Sequence, residues 1–140
     1  MLKTKLLHPD ILQVLAVNGH GARILIADGN FPFTTKTPPS SKKVFLNLAP
    51  GLVTVTDVLG VLKDYIQVES VLIMASPDEN EQPVHSEFLT ILGEGTELKK
   101  LKRQEFYEQV LVNDTCLVIA TGETRRFANI LLTIGVIKAS

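Results

Sequence analysis

The sequence holds a single cysteine, Cys116, among its 140 residues, which excludes an internal disulfide and any site built on paired thiolates. Set in the apolar run Cys116-Leu117-Val118-Ile119-Ala120, it reads as a small core residue. Long hydrophobic runs are also missing: nothing approaches the ~20 apolar residues of a membrane-spanning helix. The N-terminal Met1-Leu2-Lys3-Thr4-Lys5 lacks the apolar stretch and cleavage signal of a secretion leader, so the chain reads as cytoplasmic. Charge of one sign is lacking too, with 14 Lys and Arg against 15 Asp and Glu. No strong field draws nucleic acid or an anionic membrane, and neither is expected as a partner. The basic stretch Lys99-Lys100-Leu101-Lys102-Arg103 is short and is followed by Glu105 and Glu108, the pattern of a solvated face.

The familiar catalytic signatures are absent as well. His8, His20 and His85 share no ligand spacing, and no metal site is expected. Neither Asn18-Gly19-His20-Gly21 nor Gly93-Glu94-Gly95-Thr96-Glu97 carries a phosphate-loop or dinucleotide-binding glycine pattern. No G-x-S-x-G elbow occurs. Hydrolase, kinase and dehydrogenase readings therefore lose their usual support.

What is present suits one domain over residues 1–140, long enough to bury a continuous core. A hydrophobic fraction of 45% and a mean hydropathy of +0.21 leave spare apolar surface, which favours subunit contacts and a homo-oligomer. Pro9 opens a helix whose apolar face is Ile11, Leu12, Val14 and Leu15, stopped at Asn18-Gly19. Strands are expected at Arg23–Ala27, Val44–Leu48, Val68–Ala75, Glu97–Leu101, Thr115–Thr121 and Asn129–Ile134. Helices are expected from a Thr56 cap to Gln67, from Pro83 to Leu92 and from Gln104 to Val112. The stretch from Asp28 to Lys43 is a long Gly, Pro, Thr and Ser-rich loop. Strands alternating with helices predict a three-layer α/β/α domain, its sheet of about six strands largely parallel or mixed.

The candidate chemistry is a polar set at the ends of apolar elements. His20 follows a helix C-terminus, where the macrodipole favours imidazolium, and its flanking glycines bare the ring to a ligand. On composition and spacing alone, a cap or an exposed loop is the commoner explanation. Asp28 stands at the carboxyl end of the next strand, the usual ligand edge of α/β sheets, although Asp-Gly-Asn is also ordinary turn chemistry. Two ends of one strand are far apart, so these residues meet only across a fold-back or a subunit boundary. Arg103 and Tyr107 lie four apart on one helix and share a face, as a surface stack or as part of a site. Arg125 and Arg126 suit either an anion clamp or an exposed turn. Asn129 opens the last strand with an amide that both donates to and accepts from a hydroxyl.

Five segments in order carry a resemblance across nearly the whole chain: Asn18-Gly19-His20-Gly21, Ala27-Asp28-Gly29-Asn30-Phe31-Pro32, Phe106-Tyr107-Glu108-Gln109, Thr121-Gly122-Glu123 and 127–136. The chain resembles the fucose mutarotase and ribose pyranase family, with 30–32 and 103–108 closer to the fucose branch. The resemblance implies a cofactor-free isomerase that interconverts anomers of a free monosaccharide, L-fucose or similar, by acid/base ring opening and closure. The sister-branch alternative is pyran-furan interconversion of D-ribose, and a third is a non-catalytic sugar-binding or transport-associated protein. By the same resemblance His20 is the general acid/base, and Asp28, Arg103, Tyr107, Phe127, Ala128 and Asn129 bind sugar. It also implies ring-shaped assembly, often decameric, with sites near subunit contacts. The family's Tyr-small-Asn triplet falls on Phe127-Ala128-Asn129, so Phe127 lacks a phenolic hydroxyl here.

Overall fold

In the computed structural model, which describes residues 1–140, the apolar runs become the strands of one sheet. They are Arg23–Ala27 (β1), Lys42–Phe45 (β2), Val68–Met74 (β3), Leu98–Leu101 (β4), Thr115–Ala120 (β5) and Ile130–Ile134 (β6). The order across the sheet is β2-β5-β1-β6-β3-β4. β1 pairs in parallel with β5, β5 with β2, and β3 with β4, whereas β6 runs antiparallel to both β1 and β3. One reversed strand is thus wedged into an otherwise parallel sheet, and its start lies at the edge where the other strands end.

Four helices connect the strands: Pro9–Val17 (α1), Val55–Leu62 (α2), Pro83–Leu92 (α3) and Arg103–Val110 (α4). Side chains alternate along each strand. Ile24, Ile26, Ile119, Ile130 and Leu132 therefore meet Ile11 of α1, Leu59 of α2 and Phe88 of α3 on one face. Leu25, Ala27, Val118 and Leu131 meet Phe106 and Val110 of α4, together with Phe31, on the other. The three expected layers are present, with three helices on one side and one helix plus the 28–43 loop on the other. Burial of both faces explains why β1 reads as a continuous apolar run.

Local chemistry moves several boundaries from their expected places. α2 is capped by Thr54, not Thr56: its hydroxyl accepts from the Asp57 N–H while the Asp57 carboxylate accepts from the Thr54 N–H. The helix also stops at Leu62, short of Gln67. Just beyond it, the Tyr65 hydroxyl bonds the Thr4 hydroxyl and accepts from the Lys5 and Leu6 N–H groups, pulling the chain aside. α1 ends on Asn18, whose backbone N–H and side-chain amide both donate to the Val14 carbonyl. Gly21, with φ +88°, then turns the chain into β1. β2 begins two residues early, at Lys42, because Ser41 and Lys43 fold back onto the Pro38 carbonyl and seat the strand. The basic stretch forms edge strand β4 and its exit, where exposed Lys99 and Lys100 blunt the open edge. Cys116 is half-buried, with its thiol on the Arg23 carbonyl, and burial pushes that thiol up from its ordinary value.

Candidate functional site

The reversed β6 decides which residues meet. Because Ile26 pairs with Ile130, the chain leaving β1 at Asp28 runs beside the chain entering β6 at Asn129. The Asp28 N–H donates to Asn129 Oδ1 at 2.8 Å, and Asn129 Nδ2 donates to Asp28 Oδ2 at 3.1 Å. The Asn30 N–H donates to the other carboxylate oxygen at 3.0 Å. Both side chains are buried. Burial pushes the Asp28 carboxyl up and the Glu123 charge adds to this, against the lowering effect of the hydrogen bonds it accepts. The result is a carboxylate above its ordinary value, held in one orientation.

α4 supplies the opposite wall. Arg103 opens the helix and Tyr107 lies one turn on, so both reach the same cavity. Tyr107 packs edge-on to Phe31 at 5.5 Å between ring centres, and Phe31 packs edge-on to Phe106 at 6.4 Å. Arg126 lies over the Phe127 ring at 5.1 Å, a cation-π contact. The open cavity between the two walls has a volume of about 290 Å³. Asp28, Asn30, Asn129 and the two arginines give it polar lining, while Phe31, Met74 and Phe127 give it an apolar side. This division suits a ligand with hydroxyls on one face and C–H groups on the other.

Five of the residues expected at a site therefore share one cavity: Asp28, Arg103, Tyr107, Phe127 and Asn129. Ala128 does not line it with its side chain, which is buried on the three-helix face; it sets the spacing between Phe127 and Asn129. His20 lies elsewhere. It precedes β1 at the amino edge of the sheet, exposed, with Nε2 2.8 Å from Glu69 Oε1. The five-residue strand β1, roughly 13 Å from end to end at ~3.3 Å per residue, lies between His20 and Asp28. Sequence reasoning missed Asn30, Phe31 and Met74 as lining residues, and had left Arg126 between an anion clamp and an exposed turn. Only the Asn-Phe pair after Asp28 offered a signal; Met74 carried none. Of the arginine pair, Arg125 is bound to Glu123, Glu87 and the Thr56 hydroxyl, and Arg126 alone faces the cavity. No group of three or more His, Cys, Asp or Glu side chains gathers as a metal cluster.

The fold and site together define an α/β protein with a small polar-aromatic cavity at the carboxyl edge of a mixed six-stranded sheet. Comparison with known proteins places the chain more closely. Residues 1–137 match the RbsD / FucU transport protein family, and the chain belongs to that family. The D-ribose pyranase of Bacillus subtilis (strain 168) is 34% identical over 137 residues, covering 98% of this chain and 99% of that protein. The D-ribose pyranase of Staphylococcus haemolyticus (strain JCSC1435) is 32% identical with the same coverage. Among solved structures, Bacillus subtilis RbsD complexed with D-ribose superposes with a TM-score of 0.84 at 31% identity, over 99% of this chain and all of that one. The fucose mutarotase of Streptococcus pneumoniae, in complex with L-fucose, gives 0.82 at 27% identity, over 98% of this chain and all of that one. The chain has no helix long and apolar enough to cross a membrane.

Proposed function

We propose that this protein interconverts the anomers of a free monosaccharide, with L-fucose or a related 6-deoxy sugar as substrate. The observation that carries the reading is the Asp28–Asn129 pair: a fixed carboxylate and amide facing an aromatic wall across a cavity of about 290 Å³. Asp28, Arg103 and Asn129 hold ring hydroxyls, and Tyr107 offers a further phenolic contact. The apolar side made by Phe31, Met74 and Phe127 suits the methyl group that a 6-deoxy sugar carries.

Mutarotation removes the proton of the anomeric hydroxyl and protonates the ring oxygen. The ring opens, the freed carbonyl rotates, and the ring recloses. Both transfers fall within the range of an imidazole, and His20 is the proposed acid/base. Its pairing with Glu69 engages Nε2 and leaves Nδ1 for the sugar. Because His20 stands at the opposite edge from Asp28, it acts on a sugar held in the cavity of another copy of the chain. Exposed Val17, Val136 and Ile137 at the amino edge supply apolar contact surface for such an assembly, a closed ring in this reading.

Saturation-transfer NMR on the anomeric protons of L-fucose tests the proposal, and accelerated exchange is the expected result. No acceleration with any aldose would sink it. Mixing His20→Ala subunits with Asp28→Asn subunits, at sugar concentrations well below the KM of the second, tests the shared site: impaired parents whose mixture exceeds both support it, and a mixture no faster than the average of the parents removes it. A second reading, pyran-furan interconversion of D-ribose, is favoured by the 32–34% identity to proteins named D-ribose pyranase. The same experiment with D-ribose, read on pyranose-furanose cross-peaks, separates the two.

A further inference from the structure

His85 is the one buried histidine, and neither the cavity nor the proton-transfer step above uses it. It stands in the first turn of α3, three residues past the Gln82 cap, and its ring lies beside Phe88 with centres 6.0 Å apart. Nε2 lies 2.9 Å from the Phe127 carbonyl oxygen. A carbonyl only accepts, so Nε2 must carry the proton. Nδ1 is buried with no partner, which a neutral ring tolerates as a bare lone pair and a charged ring would leave as an orphaned N–H. Burial holds the imidazole below its ordinary value; the Lys100 charge adds to this, while the bond to Phe127 and the Glu81 charge oppose it. The ring is thus a fixed neutral donor.

Its acceptor is an unusual residue. Phe127 has φ +60°, a left-handed conformation that non-glycine residues seldom keep unless their surroundings hold them. The turn it makes sets three groups in the cavity: the Phe127 ring, the Arg126 guanidinium lying over it, and, two residues on, the Asn129 amide bonded to Asp28. An extended backbone at Phe127 would swing the ring and Arg126 away together. The hydrogen bond comes from α3 in the three-helix layer and reaches the turn that opens into the cavity.

We propose that His85 is a positioning residue, whose Nε2–H bond to the Phe127 carbonyl holds the left-handed turn that presents Phe127, Arg126 and Asn129 to the sugar. This rests on the reading that the cavity binds a monosaccharide. It assigns His85 no contact with substrate and no proton transfer.

The chain has a single Phe-Ala step, Phe127-Ala128, so labelling Phe carbonyls with ¹³C and Ala amides with ¹⁵N gives one carbonyl-amide cross-peak that reports on this acceptor. The variants to compare are His85→Leu, which removes the donor, and His85→Gln, whose amide nitrogen reproduces Nε2. In His85→Leu the carbonyl resonance is expected to move upfield, and KM for L-fucose or D-ribose to rise by up to about tenfold, the loss of one hydrogen bond, with kcat within about twofold. His85→Gln is expected to return both toward wild type. A cross-peak unmoved in His85→Leu overturns the proposal. A peak that moves while KM stays at the wild-type value also overturns it, since the bond is then structural alone. Wild-type protein that accelerates exchange of no aldose overturns the sugar reading, and the assigned role with it. If His85→Leu does not fold, the imidazole ¹⁵N pattern of wild type decides: a neutral ring protonated at Nε2 supports the assignment, and one protonated at Nδ1 overturns it.

Discussion

The two edges of the sheet are built differently. At the carboxyl edge, Asp28 and Asn129 are buried, bonded to each other, and walled by Phe31, Phe127 and Tyr107. At the amino edge, His20 and Glu69 form an open pair, each side chain about half exposed. The first is a half-open cavity whose lining one chain supplies. The second is a titratable group that one chain leaves unfinished. In a low-dielectric cavity, fixed dipoles discriminate strongly between hydroxyl arrangements. A solvated histidine has no such power until something covers it. In the proposed reading, recognition falls to one edge and chemistry to the other, and assembly is the step that would join them.

The largest expected effect follows from that division. His20→Ala should slow anomeric exchange by about 10²–10⁴-fold, the usual worth of a general acid/base. It should change stability little, because the His20–Glu69 contact is exposed on both sides and solvent competes for it. Exchange rates and a urea midpoint measured on the same sample check this. A variant with undiminished exchange would return the amino edge to a loop histidine.

Asp28→Asn comes next. It removes the charge from a hydrogen-bonded acceptor that the cavity holds in place, and should raise KM by about 10–100-fold, as for loss of a charge-assisted hydrogen bond. Steady-state kinetics across sugar concentration would show it, and an unchanged KM would take recognition away from this edge. Phe127→Tyr is a smaller gain-of-function test. Restoring a hydroxyl to the wall should alter the rate or KM by no more than about tenfold. A loss instead would mean that the apolar ring is what the substrate prefers.

The smallest effect concerns His85. His85 is buried and held below its ordinary value, chiefly by burial. As pH falls below about 6.5, the unfolded chain takes up a proton at this site before the folded chain does, so stability falls. Above that pH this contribution is fully present. Urea midpoints at pH 7.5 and 5.5 should therefore drop less in His85→Gln than in wild type. An equal drop in both would show that His85 does not carry the acid sensitivity.

Much of the fold was legible in the linear chain. The β-branched runs Arg23–Ala27 and Thr115–Ala120 announced strands buried on both faces. Pro83 to Leu92 announced a helix with both of its ends, because proline at the first turn and Gly93 beyond the last are local signals. Boundaries failed where distant groups meet the chain: just past the end of α2, Tyr65 accepts bonds from residues about 60 positions away. For the site, segment order pointed to Asp28, Arg103, Tyr107 and Asn129. The arginine pair was legible as an anion clamp or an exposed turn, but nothing local pointed to Met74 or to the left-handed turn at Phe127, because no pattern in sequence says where β6 will insert.

The layers were written into the linear chain, since apolar spacing alone specifies which side of each strand and helix is buried. So was a histidine standing bare between two glycines. Only the tertiary structure decided that β6 runs backwards between β1 and β3, bringing Asn129 onto Asp28 across 101 residues and leaving His20 at the far edge. Periodicity encodes the face a residue buries. Strand order and direction are set by how all the faces pack together, and the position of His20 relative to the cavity depends on that packing.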